Sequence, residues 1–359
     1  MDTVNPAPLK PIWDCDQLDS SLPPELNAPY FDDALDAWVL SRYADVMAAF
    51  HSPELYLVSP KRKKNPERPD EEARRRIRAE TLEALSPSQL REWREKIAPE
   101  ARQRADTFPP GHTTELLNDF ARPICLSLAT MATGVSSQDA NKFYTIASPV
   151  LAAAAEPFDA SLRTHADASN VELRKYFDSG PLTLRDSGFV ALAHTLPCLL
   201  ANAWFALLQH PDEWSRLHRN PDLIAQATEE LLRYAGLARI LFREAAAETN
   251  LNGVRIRKGE RLILRIFAAN RDPERFSQPN RLDVTRSEAG HLTLGAGAHA
   301  CAGAQLIRTA AIAITRPLVE TFFSANLEEP VEWLGGSGFS APIALHVTLH
   351  KTEPALTHP

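Results

Sequence analysis

Cysteine is scarce. The 359 residues hold four, at Cys15, Cys125, Cys198 and Cys301. None forms a CxxC pair, and their spacing suggests neither a zinc cluster nor a disulfide framework. A basic excess is also missing: 39 Lys and Arg stand against 46 Asp and Glu, a formal net charge of -7. That argues against a nucleic-acid-binding face. The opening "MDTVNPAPLKPIWDCD" is acidic and proline-rich, without the charged-then-apolar pattern of an export leader. Thiols in such a chain read as reduced and cytoplasmic. No internal repeat and no separating linker is visible. The expectation is therefore one domain over 1–359, with residues 1–30 as an extended arm.

Long apolar runs are absent but for one, "GFVALAHTLPCLLANAWFALL" over 188–208. Its length would suit a bilayer. It nonetheless carries His194, Thr195, Pro197 and Asn202, which are costly or disruptive in lipid. A helix apolar on all sides is also what the centre of a large protein requires. The expectation is a buried central helix over 187–209 and no membrane. An apolar content of 44% with 24% charge supplies the core to bury it in.

Helical patterns dominate the rest. "AWVLSRYADVMAAFHSP" reads as a strand (37–40) and a helix (about 42–51). A charged connection leads into a helix from Asp70. Ser86-Pro87 ends that helix and starts another, with serine as N-cap. Beyond 240 the period shortens. "ETNLNGVRIRKGERLILRIFAAN" has the alternation and Asn-Gly turn of a hairpin. A long helix follows Cys301, and "SAPIALHVTLH" alternates as a strand. The fold class expected is mainly α with small β-sheets.

Glycine is sparse as well, 14 in all, yet Gly290, Gly295, Gly297 and Gly303 fall within fourteen residues. In "LGAGAHACAG" they surround Cys301, two residues after His299. A thiolate needs positive neighbours or backbone donors. A loop feeding a helix N-terminus supplies free amides and partial positive charge. Such a setting suits a sulfur that ligates a metal from one side, as cysteine holds haem iron in one class of proteins.

That segment resembles the haem-binding loop of cytochromes P450, F-G-x-G-x-[RH]-x-C-x-G, departing only at Leu294. "EELLR" supplies the E-x-x-R pair Glu230 and Arg233, which the resemblance places in a buried triad with an arginine from "PNRLD", Arg281. "FREAAAETNLNGVRIRKGE" resembles the segment holding an arginine for a haem propionate, here Arg243. The helix "EEARRRIRAETLEALSP" is similar to one bearing a histidine and, four residues on, an arginine. Those positions are Arg74 and Arg78. For Arg74 a simply solvated face is the competing reading. The resemblance runs from about residue 37 to the end.

It implies a P450 fold binding haem b, with Cys301 on the iron. His299, Arg243, Arg74 and Arg78 would serve the propionates, and Gly295, Gly297 and Gly303 the close backbone approach. It implies a cytoplasmic monooxygenase, with a role in secondary metabolism. Its electron donor would be of ferredoxin or flavodoxin type, and its substrate a small molecule or a carrier- or peptide-bound group. Ala191, Leu237 and Ile240 are the expected pocket residues.

The resemblance breaks in the central helix. Where the family has an acid and then a threonine, this chain has His194 and Thr195. His194 could relay protons or hydrogen-bond a neighbouring helix. Thr195 could donate to oxygen or back-bond to its own helix. Pro197 frees the Ala193 carbonyl and should kink the helix. The stretches before Asp70 and over 157–186 are short, which predicts a thin roof over the site. Three chemistries follow: donor-driven monooxygenation; peroxide-driven, cross-linking or dehydration and isomerisation chemistry; or haem binding without catalysis.

Overall fold

A computed structural model describes residues 28–57, 71–177, 184 and 186–352. The arm over 1–27 (with Cys15), the charged connection 58–70 and residues 353–359 lie outside the described residues, as do the side chains of 71, 73 and 74 within the first long helix.

The chain opens with strands β1 (Tyr30–Asp32) and β2 (Ala37–Leu40), helix α1 (Tyr43–His51) and strand β3 (Leu55–Leu57). Helices α2 (Glu71–Ala84) and α3 (Pro87–Thr107) follow. Ser86 separates them as anticipated: its Oγ accepts from the Gln89 amide at 3.3 Å, capping α3. Next come β4 (Thr113–Glu115), α4 (Arg122–Thr133), α5 (Ala140–Ala155) and α6 (Ala160–Phe177). Helices α7 (Asp186–Val190) and α8 (Leu196–Leu208) form one continuous rod with a π-helical turn at Ala191–Thr195 between them. After α9 (Pro211–Arg219) and α10 (Ile224–Tyr234) the chain turns to strands β5 (Ile240–Ala245), β6 (Thr249–Leu251), β7 (Val254–Ile256) and β8 (Arg261–Arg265), then the short α11 (Ile266–Ala269). Helix α12 (Ala304–Thr321) precedes β9 (Ser324–Leu327), β10 (Trp333–Leu334), β11 (Ala341–Pro342) and β12 (His346–His350).

The five-stranded sheet runs β1-β2-β8-β5-β3, with β2 and β8 parallel, from Ala37 opposite Arg261 to Leu40 opposite Leu264. The β6–β7 hairpin closes on Asn252 (φ 50°) and Gly253 (φ 91°), the left-handed pair that an Asn-Gly turn requires. A three-stranded sheet, β4-β12-β9, closes the far edge. The fold is thus mainly α with small sheets, as the patterns required.

The central rod is held in the largest core cluster, which includes residues of α3, α4, α9, α10 and α12. Its length and composition would suit a membrane, but its apolar window is 78% buried within the protein. Burial forces its polar groups to find partners. Trp204 Nε1 donates to Thr315 Oγ1 at 3.1 Å, and Asn202 Nδ2 to the Ser340 carbonyl at 2.9 Å. The π turn sits just before Pro197. Without an amide hydrogen, proline cannot continue the regular ladder, and a widened turn is one way a helix absorbs that loss. There the Leu196 amide reaches back to the Ala191 carbonyl, five residues away.

Candidate active site

The glycine-rich loop delivers Cys301 to the N-terminus of α12. Two of its glycines are left-handed, Gly295 (φ 69°) and Gly297 (φ 64°). At Gly297 space is short too, since a Cβ would fall 2.7 Å from the Phe50 carbonyl of α1. Gly303 (φ -80°) caps α12, and its amide donates to the Cys301 sulfur. The Cys301 amide donates to the Leu294 carbonyl at 2.7 Å, folding the loop on itself. Burial raises the thiol pKa, opposed by the Gly303 amide, Arg78 and Arg308. Arg78 crosses from α2 and donates from Nη1 to the Ala300 carbonyl at 2.5 Å, clamping the residue before the cysteine. His299, itself half-buried, ends a 3₁₀ turn in the same loop.

Behind the loop lies a buried ionic network. Arg233 donates from Nε and Nη2 to Glu230 at 2.6 and 2.8 Å, both side chains 1% exposed. The third member is Arg286, whose Nε lies 3.0 Å from Glu230 Oε2. The sequence expectation for Arg281 is corrected here. Arg281 is exposed and contributes only its carbonyl, which accepts from Arg233 at 3.3 Å and from Arg286 at 3.2 Å. Leu282 is drawn into the core, and it is Arg286, five residues after Arg281, that turns inward to Glu230. Arg233 also donates to the carbonyls of Asn270 and Pro279, so one guanidinium ties α10 to the segments flanking the loop.

Two cavities meet at the central rod, sharing Ile77, Ser187 and Ala191. The first, about 380 Å³, has Cys301 on its wall, with apolar Leu85, Leu192, Leu306 and Ile307 and the guanidinium of Arg78. One sulfur, apolar walls and a cationic group fit a flat apolar macrocycle with acidic substituents. The second, about 490 Å³, lies under α5 and α6 and is walled by Val150, Phe177, Val190 and Thr195. Besides Ser187 and Thr195, its polar members are Asn170, Arg174 and Asp186, the last two a loose ion pair at 3.8 Å. None of these three was singled out from the sequence. Asp186 begins the apolar run rather than interrupting it, so no local pattern marks it.

His194 does not face either cavity. Its Nε2–H donates to the Tyr144 carbonyl at 2.9 Å, and its ring stacks on Tyr144 at 4.1 Å. Burial, with Arg122 nearby, pushes its pKa down to about 4, so it is neutral at physiological pH. The relay expected of it is therefore corrected to a helix-to-helix contact. Ala191 lines both cavities as expected. Leu237 and Ile240 do not: they are 4% and 5% exposed and belong to core clusters, because the strand after α10 turns them inward. Arg243 is buried at 1% exposure, its guanidinium 5.3 Å from the Phe50 ring that underlies the glycine loop. The side chain of Arg74 lies outside the described residues.

A latch joins two distant segments beside the second cavity; the stretches expected to form a thin roof lie partly outside the described residues. Between β10 and β11 the Gly338 amide donates to the Ala155 carbonyl at 2.9 Å, at the end of α5. A Cβ at Gly338 would collide with the Ala154 carbonyl. This latch joins the C-terminal strands to the helix that carries Val150.

Comparison with known proteins bears on the same elements. Residues 213–325 match the family model described as Cytochrome P450. The biotin biosynthesis cytochrome P450 of Bacillus subtilis is 42% identical over 135 residues, 38% of this chain and 34% of that protein. Cytochrome P450 CYP107DY1 of Priestia megaterium is 29% identical over 278 residues, 69% of this chain and 67% of that protein. Among solved structures, P450BioI in complex with acyl carrier protein ligated to hexadec-9Z-enoic acid superposes with a TM-score of 0.81 at 25% identity, covering 90% of this chain and 95% of that one.

Proposed function

We propose that this chain, which belongs to the cytochrome P450 superfamily, holds haem through Cys301 as axial thiolate and oxidises a C–H or C=C bond of an apolar small molecule or carrier-tethered acyl chain. The observation that carries this reading is the pair of adjoining cavities, one at Cys301 and one at Thr195, meeting at Ala191. The P450BioI complex, a structural relative with an acyl carrier protein bound, supports a tethered substrate. Electrons would come from a cytoplasmic ferredoxin or flavodoxin-type donor, in a biosynthetic setting. The chain would work as a single haem-thiolate unit.

The residues divide the work. When bound, haem supplies dioxygen activation through an iron whose thiolate ligand favours O–O cleavage. Cys301 Sγ would be the ligand, and the Gly303 amide and Arg78 would stabilise its negative charge. Arg78, Arg243 and His299 would hold the propionates; the resemblance adds Arg74, whose side chain lies outside the described residues. Thr195, on the cavity wall, presents a hydroxyl able to donate a proton from Oγ1. Val150, Phe177 and Val190 exclude water and orient an apolar substrate.

Reconstitution with a ferredoxin, its reductase and NADPH under labelled dioxygen, with hexadec-9Z-enoic acid free and carrier-bound as probes, tests this. One labelled oxygen atom in the product supports the reading. Turnover with hydrogen peroxide alone favours the second reading, a peroxide-driven P450. That alternative draws on one observation: the residue before Thr195 is a neutral histidine turned toward α5, not an acid facing the cavity.

A further inference from the structure

We propose that a pocket at the far end of α8 is a second ligand site, separate from the catalytic cavities, for a flat aromatic molecule carrying one N–H or O–H donor. The pocket encloses about 300 Å³ and shares no lining residue with either catalytic cavity. Asn202, on its wall, lies seven residues beyond Thr195 on the same rod. That is about 10 Å of helix rise.

Its walls are aromatic: Phe205, Tyr234, Phe267 and Trp333. Phe205 meets Trp333 edge-to-face at 4.9 Å and 86°. Tyr234 and Phe267 both pack on the guanidinium of Arg271, at 4.7 and 3.7 Å. Rings held from behind form a slot already shaped before a ligand arrives, which lowers the cost of binding.

The polar end of the slot defines the ligand's chemistry. Asn202 and Ser340 both line the pocket and are 8% and 3% exposed. Asn202 Nδ2 donates to the Ser340 carbonyl at 2.9 Å. A carbonyl only accepts, so this bond fixes which end of the amide is nitrogen. Asn202 Oδ1 is left as a buried acceptor, and neither it nor Ser340 Oγ has a hydrogen-bond partner among the described residues. Buried acceptors without a donor are disfavoured. A ligand N–H or O–H directed at the Asn202–Ser340 end completes the set, while its ring fills a volume far larger than one water needs. Arg239, Glu329 and His210 also line the pocket, a mixture of charge that favours a ligand neutral overall.

Indole is a suitable probe. The holoprotein is first saturated with an azole that ligates the haem iron, which blocks the catalytic cavity. Calorimetric titration with indole should then show one site. 1-Methylindole, lacking the donor, should bind about tenfold more weakly, the equivalent of about 1.4 kcal/mol. Ala206→Trp fills the pocket from a wall residue and should abolish indole binding while the azole-induced Soret shift stays unchanged. Trp333→Ala, at a half-buried position, should weaken indole at least tenfold and decides the matter should Ala206→Trp fail to incorporate haem. No heat of binding in the azole-saturated protein, equal affinity for the two indoles, or unchanged binding in the variants would each overturn the proposal.

Discussion

The two faces of the central rod obey different constraints. On the Cys301 side nearly every functional group is tied by a hydrogen bond: loop to loop, Arg78 to Ala300, and Glu230 to two arginines. On the Thr195 side the walls are apolar, Arg174 and Asp186 are only loosely paired, and His194 has turned away to Tyr144. On the proposed reading the first face would hold a charged sulfur in one geometry, so chemistry would fix its residues, and the second would admit a substrate, so only shape would fix its residues. Departures from the family pattern gather on the second face for that reason.

The contrast can be broken at several points. Cys301→Ala should remove the thiolate-ligated band from the reduced-CO difference spectrum and all donor-driven activity. A retained band would reassign the axial ligand. Arg233→Ala leaves Glu230 buried with half its partners and should cost about 3–5 kcal/mol in urea unfolding.

A pH titration of stability separates the faces next. The folded-state pKa of His194 is depressed to about 4, below the ordinary histidine value. The unfolded chain therefore binds the extra proton first as pH falls. The penalty is absent above about pH 6.5, grows between about 6.5 and 4, and levels off below, reaching about 3 kcal/mol. His194→Phe keeps the stack on Tyr144 and should flatten that window. It should leave turnover at neutral pH unchanged; a loss of coupling there would restore the relay.

Thr195→Ala should lower product formed per dioxygen consumed by a few fold without changing the CO spectrum, and unchanged coupling would remove Thr195 from oxygen chemistry. The smallest expected effect checks the corrected triad. Arg281→Ala should stay within about 0.5 kcal/mol of the parent, whereas Arg286→Ala should be clearly destabilised.

Local sequence and local structure agree closely on the tied face. The Asn252-Gly253 turn, the Ser86 cap and the glycine loop each depend on residues adjacent in the chain. Backbone conformation and capping act over two to four residues, so short stretches suffice to read them. The misreadings share one cause. Arg281 and Arg286 are both basic and five residues apart, and only the path of the chain around Leu282 decides which guanidinium reaches Glu230. Leu237 and Ile240 are apolar in either role, core or pocket wall.

The amino-acid sequence by itself placed one cysteine among glycines at the mouth of a helix, and an apolar rod through the core. Those outcomes follow from φ freedom, helix-terminal amides and hydrophobic burial, all encoded within single segments. The tertiary structure decided the direction of His194, the arginine opposite Glu230, and the meeting of two cavities at Ala191. Each depends on which distant backbone offers a partner, such as the Tyr144 carbonyl fifty residues away. No local pattern carries that information, because long-range packing is set by the sum of many weak contacts.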